Sequence, residues 1–221
     1  MLKKVLAVLM TAALAAGAVG CSSSGQKTKD GDKETVNSEV KDTLRIAYTA
    51  DPEGLDPQRT AAVATLEVAS NIFDTLITCD PEWNIIPDIA KDWKVADDGM
   101  SVTFYLNEGV LFHNGREMTA NDVKYSFERL KGAESPKASM YENIKSIDIE
   151  DDYTITFTTE KLDVDLLCSF AYPWAAIIPE ECSDDLKTNP VGTGAYKFVE
   201  WTPQQSVKLV RNDDYFGDKA N

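Results

Sequence analysis

The side chains able to do chemistry are few, and their spacing suits holding a ligand better than transforming one. The only histidine, His113, stands just before Asn114-Gly115. No second histidine accompanies it for a metal, and no serine or cysteine motif marks it as a catalytic base, so a structural or surface role is expected. Carboxylates abound, yet Asp97-Asp98, Glu180-Glu181 and Asp184-Asp185 are neighbours in turn-like segments, where acids are simply solvated. None of the four cysteines, Cys21, Cys79, Cys168 and Cys182, lies at CxxC spacing. Neither a zinc site nor a disulfide scaffold is supported, and the last three are expected to be mostly buried free thiols. Gly192-Thr193-Gly194 lacks the second spaced glycine and the lysine of a phosphate-binding loop and precedes a strand pattern, so close backbone approach or unusual φ explains it better. No catalytic residue, metal or cofactor is expected.

The candidates that remain are ligand-holding ones. Tyr141, Tyr172 and Trp174 stand in or beside loop-like segments, where aromatic faces can hold the body of a ligand while backbone groups fix its ends. Packing in a core or at an interface is the alternative for each of them. Asp51 and Glu53, in the loop Asp51-Pro52-Glu53-Gly54-Leu55-Asp56-Pro57, join them as candidate ligand-binding residues.

These residues sit in an acidic chain of 221 residues, with 37 acidic against 22 basic side chains and a formal charge of −15. That balance repels phosphates and anionic head groups, which excludes nucleic acid as an expected partner. Residues 1–20 read as a secretory signal: Lys3 and Lys4, then an apolar stretch of about 16 residues, short of the ~20 a membrane span needs. Ala18-Val19-Gly20 before Cys21 and Ser22-Ser23-Ser24-Gly25 after it resemble a bacterial lipoprotein signal, which implies acylation of Cys21 and contact with membrane lipid. Residues 21–42 contain no aromatic residue and too few large aliphatic ones to offset ordering entropy, so they read as a flexible tether.

Structure is expected from Thr43. Leu44, Ile46 and Tyr48 alternate as a first strand, and the proline-rich loop that follows breaks it. Thr60 caps a predicted helix carrying Val63, Leu66, Ala69, Phe73 and Leu76, and Pro87 to Trp93 suggests a short helix. Val102, Phe104 and Leu106 alternate as a strand after the Asp97-Asp98-Gly99 turn. Thr119-Ala120-Asn121-Asp122 has capping-box spacing, followed by Val123, Phe127 and Leu130 at helical intervals. Ile147, Ile149, Tyr153, Ile155 and Phe157 predict a hairpin through Asp151-Asp152, and Tyr196 to Trp201 with Val207 to Val210 predict another. The whole is mixed α and β.

The run Ala90-Lys91-Asp92-Trp93, Asp97-Asp98-Gly99, Val102-Thr103-Phe104, Leu106, Gly109-Val110, Phe112-His113-Asn114-Gly115 and Thr119-Ala120-Asn121-Asp122-Val123 resembles the signature region of family 5 extracellular solute-binding proteins. These are the dipeptide-, oligopeptide- and nickel-binding components of ABC importers. Leu55-Asp56-Pro57, Gly192-Thr193-Gly194-Ala195-Tyr196 and Arg211-Asn212-Asp213-Asp214-Tyr215-Phe216 agree in the same order.

The resemblance implies an α/β, mixed α+β fold of the type II periplasmic-binding-protein kind. In it 43–75 and 179–221 form part of a first lobe and 76–178 a smaller insert domain, the second lobe being missing from this N-terminal fragment. It further implies an exported, non-enzymatic lipoprotein, anchored on the outer side of the cytoplasmic membrane or periplasmic, that binds an oligopeptide, dipeptide or other small ligand and docks on ABC permease subunits. Ligand energy drives lobe closure only through contacts better made in the closed state, so a single lobe is expected to bind weakly or not at all. A secreted carboxylate-dependent hydrolase and a structural or adhesive lipoprotein are the alternatives.

Overall fold

A computed structural model of the chain describes residues 44–218, so the signal segment and the whole tether, Cys21 included, lie outside the described residues. In chain order the elements are α1 (Val63–Ala69), β1 (Ile77–Cys79), β2 (Ile85–Pro87), β3 (Ala90–Val95), β4 (Ser101–Leu106), α2 (Ala120–Leu130), β5 (Ile144–Asp151), β6 (Thr154–Thr159), α3 (Leu166–Ser169), β7 (Tyr196–Thr202) and β8 (Ser206–Arg211). A short 3₁₀ turn at Pro57–Arg59 precedes α1, and others at Ala138–Met140, Pro173–Ala175 and Glu180–Cys182 lie between later elements.

The alternation of β4 sets the main sheet. Its pairing with β6 puts Val102 opposite Phe157 and Phe104 opposite Ile155, and β3 and β5 complete an antiparallel order β3-β4-β6-β5. The apolar face packs on α2 through Val123, Phe127 and Leu130, all fully buried. Phe104, Phe127, Phe157 and Phe170 meet edge to face, an arrangement that adds about 0.5–1.5 kcal/mol per pair beyond burial. The start of α2 is fixed as its spacing requires. Asp122 accepts from the Thr119 backbone N–H at 2.9 Å, so aspartate suffices for the returning half of the capping box.

A second, separate apolar cluster gathers Leu55, Val68, Ala69, Ile72, Phe73, Ala176, Ile178 and Leu186, with Phe198, Trp201, Val207 and Leu209 of the β7–β8 hairpin against it. The two clusters are tied by a buried polar joint. Arg129 of α2 forms an ion pair with Asp56, the two side chains only 9 % and 8 % exposed, and donates to Gln58 Oε1 at 2.9 Å. Gln58 in turn donates to the Ser126 and Ala176 carbonyls, each at 3.1 Å.

Several expectations are corrected. Leu44, Ile46 and Tyr48 form no strand and are 78 %, 59 % and 41 % exposed, because no described segment offers them a ladder to join. Thr60 accepts from the Ala62 N–H but does not cap the helix: Ala62 holds the cap position without a side-chain bond, and the helix stops at Ala69. Phe73 and Leu76 lie beyond it and enter different clusters. Pro87 to Trp93 is not a helix but the end of β2 and most of β3. The backbone N–H groups of Ile89 and Ala90 go to the Thr75 and Leu76 carbonyls, and such tertiary bonds override local preference. Cys79 and Cys168 are free but exposed and Cys182 is half-buried. Cys79 closes the short β1–β2 ribbon, and Cys168 points away from the buried Leu166 and Ser169 of α3.

Candidate functional site

Pro173 pins the φ of a turn that the chain enters with Tyr172 extended, and this brings the rings of Tyr172 and Trp174 into a stack, centroids 4.5 Å apart and planes inclined by 22°. Trp174 Nε1–H donates to the Tyr141 hydroxyl at 3.1 Å, and that hydroxyl donates to the Ser169 carbonyl at 2.7 Å. Tyr141 is fully buried, and burial pushes its hydroxyl pKa well up, so it stays a donor at any physiological pH. Its part is therefore to hold the indole in place. Gln58 fixes the other end of the segment through the Ala176 carbonyl.

A third group completes this shelf. Lys137, placed by a turn in which its backbone N–H bonds Ser135 Oγ at 3.2 Å, sets its ammonium 4.5 Å from the Trp174 ring centroid. Nothing in the spacing of Lys137 pointed to it. The structure thus brings together Tyr141, Tyr172 and Trp174 and leaves Tyr172 41 % exposed at the rim. Asp51 and Glu53 are elsewhere: Asp51 Oδ1 lies 3.5 Å from Trp201 Nε1, and the Glu53 N–H donates to Thr65 Oγ1 of α1 at 3.2 Å. No described contact joins either to the shelf.

The glycine loop is a packing device. A Cβ at Gly192 or Gly194 would fall 2.2 or 2.5 Å from the main chain of Ile72, and neither glycine has the positive φ found at Gly99, Gly109 and Gly115. Close approach is therefore the reason for both. His113 reads this loop with its whole ring: Nδ1 accepts from the Gly192 N–H at 3.4 Å, and Nε2 bonds the Gly194 carbonyl at 2.9 Å. Only a neutral imidazole can accept at one nitrogen and donate at the other, and burial lowers its pKa accordingly.

Behind the loop lie two acids that adjacency in sequence could not reveal. Asp74 accepts from Thr193 Oγ1 at 2.8 Å and from the Tyr215 hydroxyl at 3.3 Å, while Asp88 accepts from the Thr75 N–H at 3.1 Å. Burial raises Asp74 to about 6; burial and then the Asp74 charge raise Asp88 to about 7. The folded state therefore binds more protons than the unfolded one between about pH 4 and 7. Stability contributed by the pair is full below the ordinary carboxylate range and is lost as pH rises through the raised values. Allowing for solvent screening of these partly exposed groups, urea unfolding is expected to show a fall of about 2 kcal/mol from pH 5 to pH 8. Asp88→Asn should abolish most of that slope.

Among the described residues no group of three or more His, Cys, Asp and Glu is placed to hold a metal ion, and no helix is long and apolar enough to cross a membrane. A sequence model of bacterial extracellular solute-binding proteins, family 5 (middle), matches residues 84–221. The chain is 30 % identical over 206 residues to a di/tripeptide-binding protein 4 of Pseudomonas aeruginosa, covering 80 % of this chain and 39 % of the relative. It is 29 % identical over 224 residues to the oligopeptide-binding protein AppA of Bacillus subtilis, covering 96 % and 41 %. Among solved structures it is similar to the ABC transporter-associated periplasmic binding protein DppA of Helicobacter pylori, bound to the peptide STSA, with a TM-score of 0.71 and 30 % identity over 77 % of this chain and 39 % of that one. The chain thus spans about two-fifths of the length of the relatives it matches, and its mixed α/β fold is that of a type II periplasmic binding protein, represented in part. The residues of β3, β4 and α2, the hairpins and the glycine loop therefore share one explanation: the chain belongs to the bacterial extracellular solute-binding proteins of family 5.

Proposed function

We propose that the chain is part of a substrate-binding lipoprotein of an ABC importer, which captures dipeptides or oligopeptides outside the membrane and delivers them to the permease, and that it is not an enzyme. The observation that carries this reading is the family match over 84–221, together with the likeness to relatives named for peptide binding. The aromatic shelf supports it. An exposed ring backed by a hydrogen-bonded, buried tyrosine is a pre-organised surface for a side chain, which lowers the entropy cost of binding.

On this reading residues 43–75 with 179–221 contribute to the first lobe and 76–178 form the insert; the two apolar clusters support this in outline, with Ala176 and Ile178 packing in the first-lobe cluster and Val191 and Phe216 against the other. Cys21 carries the lipid, and residues 21–42 hold the domain off the outer face of the cytoplasmic membrane or in the periplasm. Disrupting the gene is expected to abolish accumulation of labelled oligopeptides by intact cells while leaving free amino-acid uptake unchanged. Undiminished uptake of every peptide tried would sink the reading.

A further inference from the structure

The geometry points to Lys137 as a specificity-determining residue: the shelf takes peptides in which an aromatic side chain, stacked on Tyr172, is followed by an acidic one that reaches the Lys137 ammonium. This rests on the peptide-capture reading and narrows it to a substrate class.

Three observations carry it. First, the shelf has one accessible aromatic rim. The Trp174 indole is in contact with Tyr172 and Lys137 and is tied to Tyr141, whereas Tyr172 is 41 % exposed. A ligand ring therefore meets the tyrosine, where offset stacking is available to any aromatic side chain.

Second, the ammonium beside that rim has no carboxylate within ion-pair distance among the described residues. Glu134, the acid nearest to it in sequence, is engaged by Arg59 with N···O at 2.6 Å, although the approach of Arg59 Nη1 is not that of an aligned hydrogen bond. The charge of Lys137 is thus left over for something else.

Third, the cation sits over a π face and not in free solvent, 4.5 Å from the ring centroid. A ring holds an ammonium without neutralising it, so the lysine stem is ordered before a ligand arrives and its charge remains available. In a chain of formal charge −15 an acidic ligand gains most where a cation without an ion pair is held in place, and Lys137 is the cation that stands beside the aromatic rim.

The test follows the Trp174 indole N–H by NMR in the ¹⁵N-labelled 221-residue chain, with the signal assigned by Trp174→Phe. The probes are the C-terminally amidated tripeptides Ala-Phe-Glu, Ala-Phe-Gln and Ala-Ala-Glu, titrated into the millimolar range expected of weak binding by part of a receptor. Ala-Phe-Glu is expected to shift the signal with about five-fold tighter affinity than Ala-Phe-Gln, as one exposed ion pair allows. Lys137→Gln should erase that difference while leaving the rest of the spectrum unchanged, and Tyr172→Ala should bring Ala-Phe-Glu down to Ala-Ala-Glu. Equal response to Ala-Phe-Glu and Ala-Phe-Gln would overturn the inference and leave peptide capture standing. If no peptide perturbs the signal, the inference is overturned, while peptide capture is judged separately by the uptake of labelled oligopeptides.

Discussion

Arg129→Met is expected to cost about 3–5 kcal/mol of stability, because it strands the Asp56 carboxylate in a site where that side chain is only 8 % exposed. The remaining donor to Asp56 is the Gln58 backbone N–H at 3.0 Å, which cannot replace a two-nitrogen guanidinium. Gln58 also loses its partner at Oε1, and with it the order that holds its amide on the Ser126 and Ala176 carbonyls. For a domain of this size the loss corresponds to roughly 10–15 °C in Tm, read by circular dichroism. The double variant Asp56→Asn with Arg129→Met should recover part of it, since removing both charges leaves no buried ion unpaired. A single variant melting with the wild type would show that the joint between the clusters contributes nothing.

The same joint shows what a linear reading can and cannot reach. Asp56 and Arg129 are 73 residues apart and belong to a loop and to a helix face, and nothing in either local pattern announces the other. By contrast the β5–β6 hairpin was legible, because alternation of Ile147, Ile149, Ile155 and Phe157 across Asp151-Asp152 encodes both the buried face and the turn. So was α2, whose cap and apolar face are both local. The failures fall where elements are short and held by distant bonds: β2 and β3 take their geometry from the Thr75 and Leu76 carbonyls, and residues 44–48 lack the partner that alternation presupposes.

For the candidate site the position is mixed. Tyr141, Tyr172 and Trp174 were identifiable by type and by their loop setting, and the structure joins them, but in unequal roles: one buried support and one exposed rim with the indole between. Lys137 gave no signal in sequence, because a lysine in a polar loop is ordinarily solvated, and its meaning comes only from the ring beneath it. The Asp74–Asp88 pair was missed for a related reason: the informative acids are those brought together by the fold, and they are 14 residues apart in sequence.

Gly192→Ala should be as damaging as the loss of Arg129, by a wholly different route. The new methyl would lie 2.2 Å from the Ile72 carbonyl oxygen and 2.7 Å from Phe73 Cδ1, so main chain must move against main chain. A flexible side chain can yield to such a contact; here the yielding atoms include a carbonyl in the second apolar cluster's own segment. Displacing it breaks the Gly194 N–H to Ile72 carbonyl bond of 2.9 Å and, through the loop, the His113 and Asp74–Thr193 bonds. The expected cost is about 3 kcal/mol or more, or roughly 6–12 °C in Tm. Gly115→Ala supplies the control that separates mechanisms. Its Cβ would meet open space, and only the φ of +86° opposes it, so about 1 kcal/mol is expected. If the two variants melted together, close approach would not be why the loop carries glycine, and the tie between His113 and the Ile72 segment would have to be more elastic than its distances imply.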